Sequence, residues 1–172
     1  MRITPITPGT RPELAAQEAQ IQAERGRISP LYQVLLNSPP IAHGWEQMLS
    51  AVRNRNSIPA GLREMVILRV AVLNRAPYEF DAHVPHALKA GVSQLVIDGL
   101  RAVPLAADLP LSPAERVALR LTDAMTRDID VPEALYDEVK QHFDAQGQID
   151  LVATAAAYNM VSRFLVALQI GH

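Results

Sequence analysis

The chain has 172 residues, a formal charge of -2, 49% hydrophobic and 20% charged residues, a composition that fits a globular protein rather than a disordered or coiled-coil one. Its 16 Lys and Arg against 18 Asp and Glu leave no basic surplus, so nucleic acid is not an expected partner. Cysteine is absent, which removes disulfides, thiolate metal ligands and every thiol-based peroxidase or redox mechanism.

In chain order, residues 1–11 are rich in Pro, Thr and Gly without periodicity and read as an extended arm, of a kind that often drapes over a neighbouring subunit. One domain is expected over 12–172. A helix begins at Pro12 among good helix formers and stops at Gly26. Leu31 to Leu36 forms a short apolar segment ended by Asn37-Ser38-Pro39-Pro40, and Pro40 starts a helix running through Trp45 and Met48 to Val52. The segment Ala60 to Asn74 is apolar nearly all round, the mark of a helix buried on most sides.

Pro77 restarts a helix that ends before Gly91, and Ser93 opens a short one through Leu100. Ser112-Pro113-Ala114-Glu115 has capping-box spacing and starts a helix to Arg127. Asp130-Val131-Pro132-Glu133 starts the next, ending near Phe143, and the last runs from Ile149 to Leu168. No segment alternates as a strand does, so the fold class is all-α with about seven to nine helices. The longest apolar run, Met65 to Leu73, is too short to span a bilayer and is broken by Arg69. The N-terminus lacks an apolar signal region, so a cytoplasmic protein without membrane association is expected.

Chemistry concentrates between Arg63 and His86. Glu79, His83, His86 and Ala90 fall within roughly 60° of arc on one helix face, which aligns a carboxylate with two imidazoles. On the preceding helix Glu64 shares a face with Leu68, Ala71 and Arg75, and needs a partner if that face is buried. The short Asn74-Arg75-Ala76-Pro77 link makes the two helices antiparallel neighbours, so Glu64 and His83 can approach. A carboxylate that orients an imidazole fixes its tautomer and makes a general acid or base; the same pair can equally be a satisfied core hydrogen bond.

Metal binding by Glu79, His83 and His86 is a weak reading, because the familiar zinc helix spaces its histidines i, i+4, whereas here they are i, i+3 with Pro85 between them. Pro85 leaves the Asp81 carbonyl without its usual partner and should kink the helix, either as packing or to open space beside His83. His43 and Trp45 are candidate pocket residues, although a lone Trp also suits a core. Arg63, Arg69 and Arg163 can each bind a carboxylate by a bidentate fork or form a structural ion pair.

The segment Leu62-Arg63-Glu64-Met65-Val66-Ile67-Leu68-Arg69-Val70-Ala71, followed by Asn74-Arg75-Ala76-Pro77-Tyr78-Glu79-Phe80 and Ala82-His83, resembles the signature of the carboxymuconolactone decarboxylase family, which shares the AhpD-like fold. Tyr158-Asn159-Met160-Val161-Ser162-Arg163-Phe164 resembles the family's last helix. The peroxidase branch carries a Glu, a CxxC pair and a His; these positions are Glu64, Ala76, Glu79 and His83 here, so both redox positions are empty. The resemblance is to the thiol-less branch, with Phe80 standing where Trp is frequent. It implies an all-α homo-oligomer, a trimer or hexamer, with neither organic cofactor nor metal.

The resemblance implies a cofactor-free lyase acting on a small carboxylated lactone or unsaturated acid from aromatic-compound breakdown. His83 is then the proton donor or shuttle, Glu64 orients it and Glu79 is a second acid/base. Arg63 or Arg69 holds a spectator carboxylate, and Tyr78 and His86 line the pocket. Alternatives are another proton-transfer enzyme on the same residues (isomerase, dehydratase or hydrolase) and a non-catalytic oligomeric binding module.

Overall fold

The computed structural model describes residues 1–171. The described chain is helical, with a 3-10 turn at Pro12–Leu14 followed by α1 (Ala15–Arg25), α2 (Pro30–Leu35), α3 (Pro39–Asn54), α4 (Ala60–Leu73), α5 (Pro77–Lys89), α6 (Gln94–Gly99), α7 (Pro113–Arg127), α8 (Glu133–His142) and α9 (Ala145–Leu168). No strand occurs among the described residues. Packing divides the chain into two compact units, Met1–Arg55 with Ala167–His172, and Asn56–Val166.

In the first unit α1 ends as expected at Gly26, whose φ of 73° is left-handed and whose N–H closes the helix on the Gln22 carbonyl at 2.8 Å. Ile21, Leu35, Leu36 and Ala42 are buried. Glu46, also buried, is satisfied by Arg25 and by Ser50. The arm lies along its own chain rather than reaching away from it. The Arg2 N–H donates to the Leu168 carbonyl at 2.9 Å, the Ile6 N–H to Gln33 at 2.9 Å, and the Asn37 amide to the Thr4 carbonyl at 3.0 Å. Ile6 is 5% exposed, and burying that side chain anchors the arm.

The second unit is built around α4. Eight consecutive residues, Glu64 to Ala71, are buried, which is the outcome expected of a helix apolar on all sides. They meet a core that includes Phe80, Ala87, Ile97, Leu119, Leu121 and Leu151. Between α4 and α5 the chain reverses over Asn74-Arg75-Ala76, with Arg75 left-handed at φ 54° and the Ala76 N–H bonded to the Ala71 carbonyl at 2.8 Å. Helix α7 begins with the expected capping box, Ser112 and Glu115 each closing on the other's backbone N–H.

Helix α9 starts at Ala145 rather than Ile149. Asp144 accepts from the Gly147 N–H at 2.8 Å, and this side-chain cap draws Ala145 to Gln148 into the helix in spite of the glycine. By length and composition α9 is sufficient to cross a bilayer, with a mean hydropathy of 1.5 over its window, half of it buried within the fold. Its apolar character therefore serves burial of Leu151, Ala155, Tyr158 and Leu165. Helix α5 continues unbroken through Pro85 to Lys89, since an exposed Asp81 leaves that turn open to water.

Candidate active site

Three buried polar side chains of α4 and α5 meet an apolar interior. Glu64 is 4%, Glu79 2% and His83 8% exposed. The expected pairing of Glu64 with His83 is present: His83 Nδ1 and Glu64 Oε2 are 2.7 Å apart. With the proton on Nδ1 and the carboxylate accepting it, Nε2 becomes the working nitrogen of the ring. The ring is further held edge-on by Tyr158 of α9, with centroids 5.2 Å apart, and lies 5.6 Å from the ring of His86.

Glu79 sits one turn before His83 on α5, on the same face. Burial pushes its carboxyl up to about 8, against the opposing pull of a hydrogen bond with Ser162. At neutral pH Glu79 is therefore a protonated acid. Oε2 contacts the Ser162 hydroxyl of α9, while Oε1 is buried with no hydrogen-bond partner. Ser162 was not anticipated. It lies in the Tyr158–Phe164 segment that carries the resemblance, but nothing local singles it out, and its partner lies 83 residues away.

The arginines separate clearly. Arg69 is 0% exposed and is not a ligand-binding guanidinium. Its Nε and one terminal nitrogen form a bidentate pair with Asp123, both at 2.6 Å, and the other terminal nitrogen bonds the Leu100 carbonyl at 2.8 Å. A charge so deep in the core is held only because every side of it is satisfied, which corrects the expectation that it holds a substrate carboxylate. Arg63, beside Glu64, is half-buried and its Nε has no partner. Arg163 is exposed.

Tyr78 is half-buried and His86 exposed at the open side of α5. His43 and Trp45 belong to α3 of the first unit, the former exposed and the latter buried. A side cleft of about 540 Å³ lies among Ile58, Leu62, Ser112, His142 and Phe143, and a second of about 240 Å³ among Met65, Gly91, Val92 and Leu111; neither is lined by Glu64, Glu79 or His83. Among the described residues no group of three or more His, Asp or Glu side chains gathers as a metal site.

The chain belongs to the carboxymuconolactone decarboxylase family, whose sequence profile matches residues 39–124. It is 31% identical over 116 residues to the uncharacterized protein YdfG of Bacillus subtilis (strain 168), covering 66% of this chain and 78% of that one. The fold is AhpD-like. The debrominase Bmp8 in complex with 2,3,4-tribromopyrrole superposes with a TM-score of 0.81 at 16% identity, over 99% of this chain and 90% of that one. A peroxidase-related protein with an alkylhydroperoxidase AhpD core, from Ralstonia eutropha JMP134, gives 0.77 at 20% identity, over 97% and 92%. At these identities the two structures bear on fold alone.

Proposed function

We propose that the protein is a cofactor-free lyase that decarboxylates a small carboxylated lactone or related unsaturated acid, as a cytoplasmic homo-oligomer. The observation that carries this reading is the buried Glu64–His83 pair at 2.7 Å, with the neutral acid Glu79 one turn away. Breaking the bond to a departing CO2 sends its electron pair into an extended enolate. That anion needs a hydrogen-bond donor at oxygen and a proton at carbon.

The Glu79 carboxyl supplies the first and His83 Nε2–H the second, while the Glu64 carboxylate at Nδ1 compensates the charge of the doubly protonated ring. The imidazole then regains its proton from water. Arg63, with an unengaged Nε, is the guanidinium suited to a spectator carboxylate, and the half-buried Tyr78 and exposed His86 of α5 are the neighbours through which a ligand would approach. The chain has no cysteine, so a thiol peroxidase cycle has no nucleophile in it. That this fold accepts a small planar ring is illustrated by Bmp8 and its tribromopyrrole.

The test is a panel of unsaturated carboxylated lactones and acids, assayed for CO2 release in D2O with wild type and His83→Gln. The expected result is release of CO2, one deuterium at a carbon of the extended enolate it leaves, and a fall in kcat of at least ~100-fold in the variant, the lower range for loss of a general acid. Turnover that retains the carboxylate, as in isomerisation or hydration, overturns the lyase assignment. So does full activity in His83→Gln.

A further inference from the structure

The Ser162 hydroxyl has two oxygen neighbours, Oε2 of Glu79 and the Tyr158 carbonyl one helical turn earlier, the latter at 2.8 Å. A hydroxyl owns one proton and cannot donate to both. The carbonyl can only accept. With Glu79 protonated all three groups are satisfied in sequence: Glu79 donates from Oε2 to Ser162 Oγ, and Ser162 donates to the Tyr158 carbonyl. Were Glu79 a carboxylate, Ser162 would have to abandon Tyr158 to reach it, and Oε1 would remain a buried charged oxygen without a donor. Both Glu79 and Ser162 are inside the nine-tenths-buried interior, at 2% and 0% exposure.

We propose that Ser162 is a positioning residue for proton delivery by Glu79. It is the acceptor of the Glu79 proton at rest and the donor that holds the carboxylate once that proton has gone. When a ligand oxygen or carbon arrives, a half-turn of the Glu79 carboxyl about its Cγ–Cδ bond exchanges its two oxygens, so that the protonated oxygen faces the ligand and the hydroxyl turns from Tyr158 to donate to the unprotonated one. The proton passes to the ligand, its electron pair stays on the carboxylate, and the charge is met by Ser162. The carbonyl that Ser162 leaves is a backbone acceptor within α9, so the turn of one torsion costs little.

The assignment rests on the lyase reading for the use made of the proton, but the hydroxyl's double role is independent of any substrate. The other ionisable groups of the site are Glu64 on α4, His83 and His86 on α5 and Tyr158 on α9, whereas the Glu79 carboxyl is governed by its burial and by the Ser162 hydrogen bond. A donor to a carboxylate is worth more than the same contact to a neutral acid. Removing Ser162 therefore makes Glu79 hold its proton more tightly, by about tenfold.

The experiment uses the full chain with side-chain carboxyl 13C-labelled glutamate, the Glu79 resonance being the one lost in Glu79→Gln. Expected is a Glu79 midpoint about one pH unit higher in Ser162→Ala than in wild type. Ser162→Thr should retain the wild-type midpoint, and Ser162→Val, of the same shape without the hydroxyl, should follow Ser162→Ala; this pair answers the question should the alanine variant not fold. An unchanged or lowered midpoint in the hydroxyl-free variants overturns the proposal, as does equal behaviour of Thr and Val. Failure of the lactone panel leaves these midpoints untouched, so the two readings fall separately.

Discussion

Replacing Glu79 by Gln should stabilise the protein, and by an amount that depends on pH in a prescribed way. The carboxyl is raised by burial from 4.5 to about 8, so the folded state binds a proton that the unfolded chain has already released over that interval. Wild-type stability is therefore fully present below pH 4.5 and is lost as the pH rises through 8. The span corresponds to about 5 kcal/mol above pH 8 and about 3 kcal/mol at pH 7. Glutamine keeps the shape of the neutral acid, can donate its amide to Ser162, and has nothing to ionise.

Glu79→Gln should thus match wild type at pH 4 and pull ahead from there, reaching a melting temperature about 10 °C higher at pH 7 for a chain of this length. Urea unfolding at a series of pH values from 4 to 9 gives the same comparison as free energy. Curves for the two proteins that stay parallel across that range would refute both the neutral state of Glu79 and the reasoning built on it. Stabilisation together with lost turnover is the combination expected of a residue kept for chemistry at the expense of folding.

Two further changes probe the frame around the site. Asp123→Ala strands the fully buried Arg69 charge on its carbonyl partners and should cost about 3 kcal/mol in urea unfolding; a loss below about 1 kcal/mol would mean that the pair contributes little beyond its packing. Ile129 is a β-branched residue at φ 67° with 83% of its surface exposed, so Ile129→Asn should relieve backbone strain without losing packing and gain about 0.5–1 kcal/mol. Thermal unfolding followed by circular dichroism checks it, and destabilisation would show that the isoleucine makes contacts its exposure does not reveal.

Local signals carried the helical reading a long way, because proline, glycine and capping residues act within one turn of where they stand. The Ser112-Glu115 box and Gly26 are read correctly for that reason. The four residues by which α9 begins before Ile149 depend on a cap that apolar periodicity does not register: Asp144 accepts from the N–H of Gly147. In the site, Glu64 and His83 were legible because helical periodicity and a short link bring them together across 19 residues.

Partners from distant helices were not legible. Arg69 is balanced by Asp123 from 54 residues away and Glu79 by Ser162 from 83 away, and periodicity places each on a face without saying which face it meets. An arginine in an otherwise apolar helix does demand a buried acid, and α7 offers Asp123 beside Thr122 and Ala124. That argument identifies a need for a partner, and only the packing decides between a carboxylate of the protein and one of a ligand.

The burial of α4 on every side also limits where new specificities can arise in this scaffold. From Glu64 to Ala71 every side chain is buried, so a change of size there disturbs a neighbour, and the helix that carries Glu64 of the Glu64–His83 pair has little room for adaptation. Under the proposed function, variation in the substrate would enter from residues with room to change, such as the half-buried Tyr78 and the exposed His86 of α5. A library built to retarget this protein would randomise those positions and leave α4 alone.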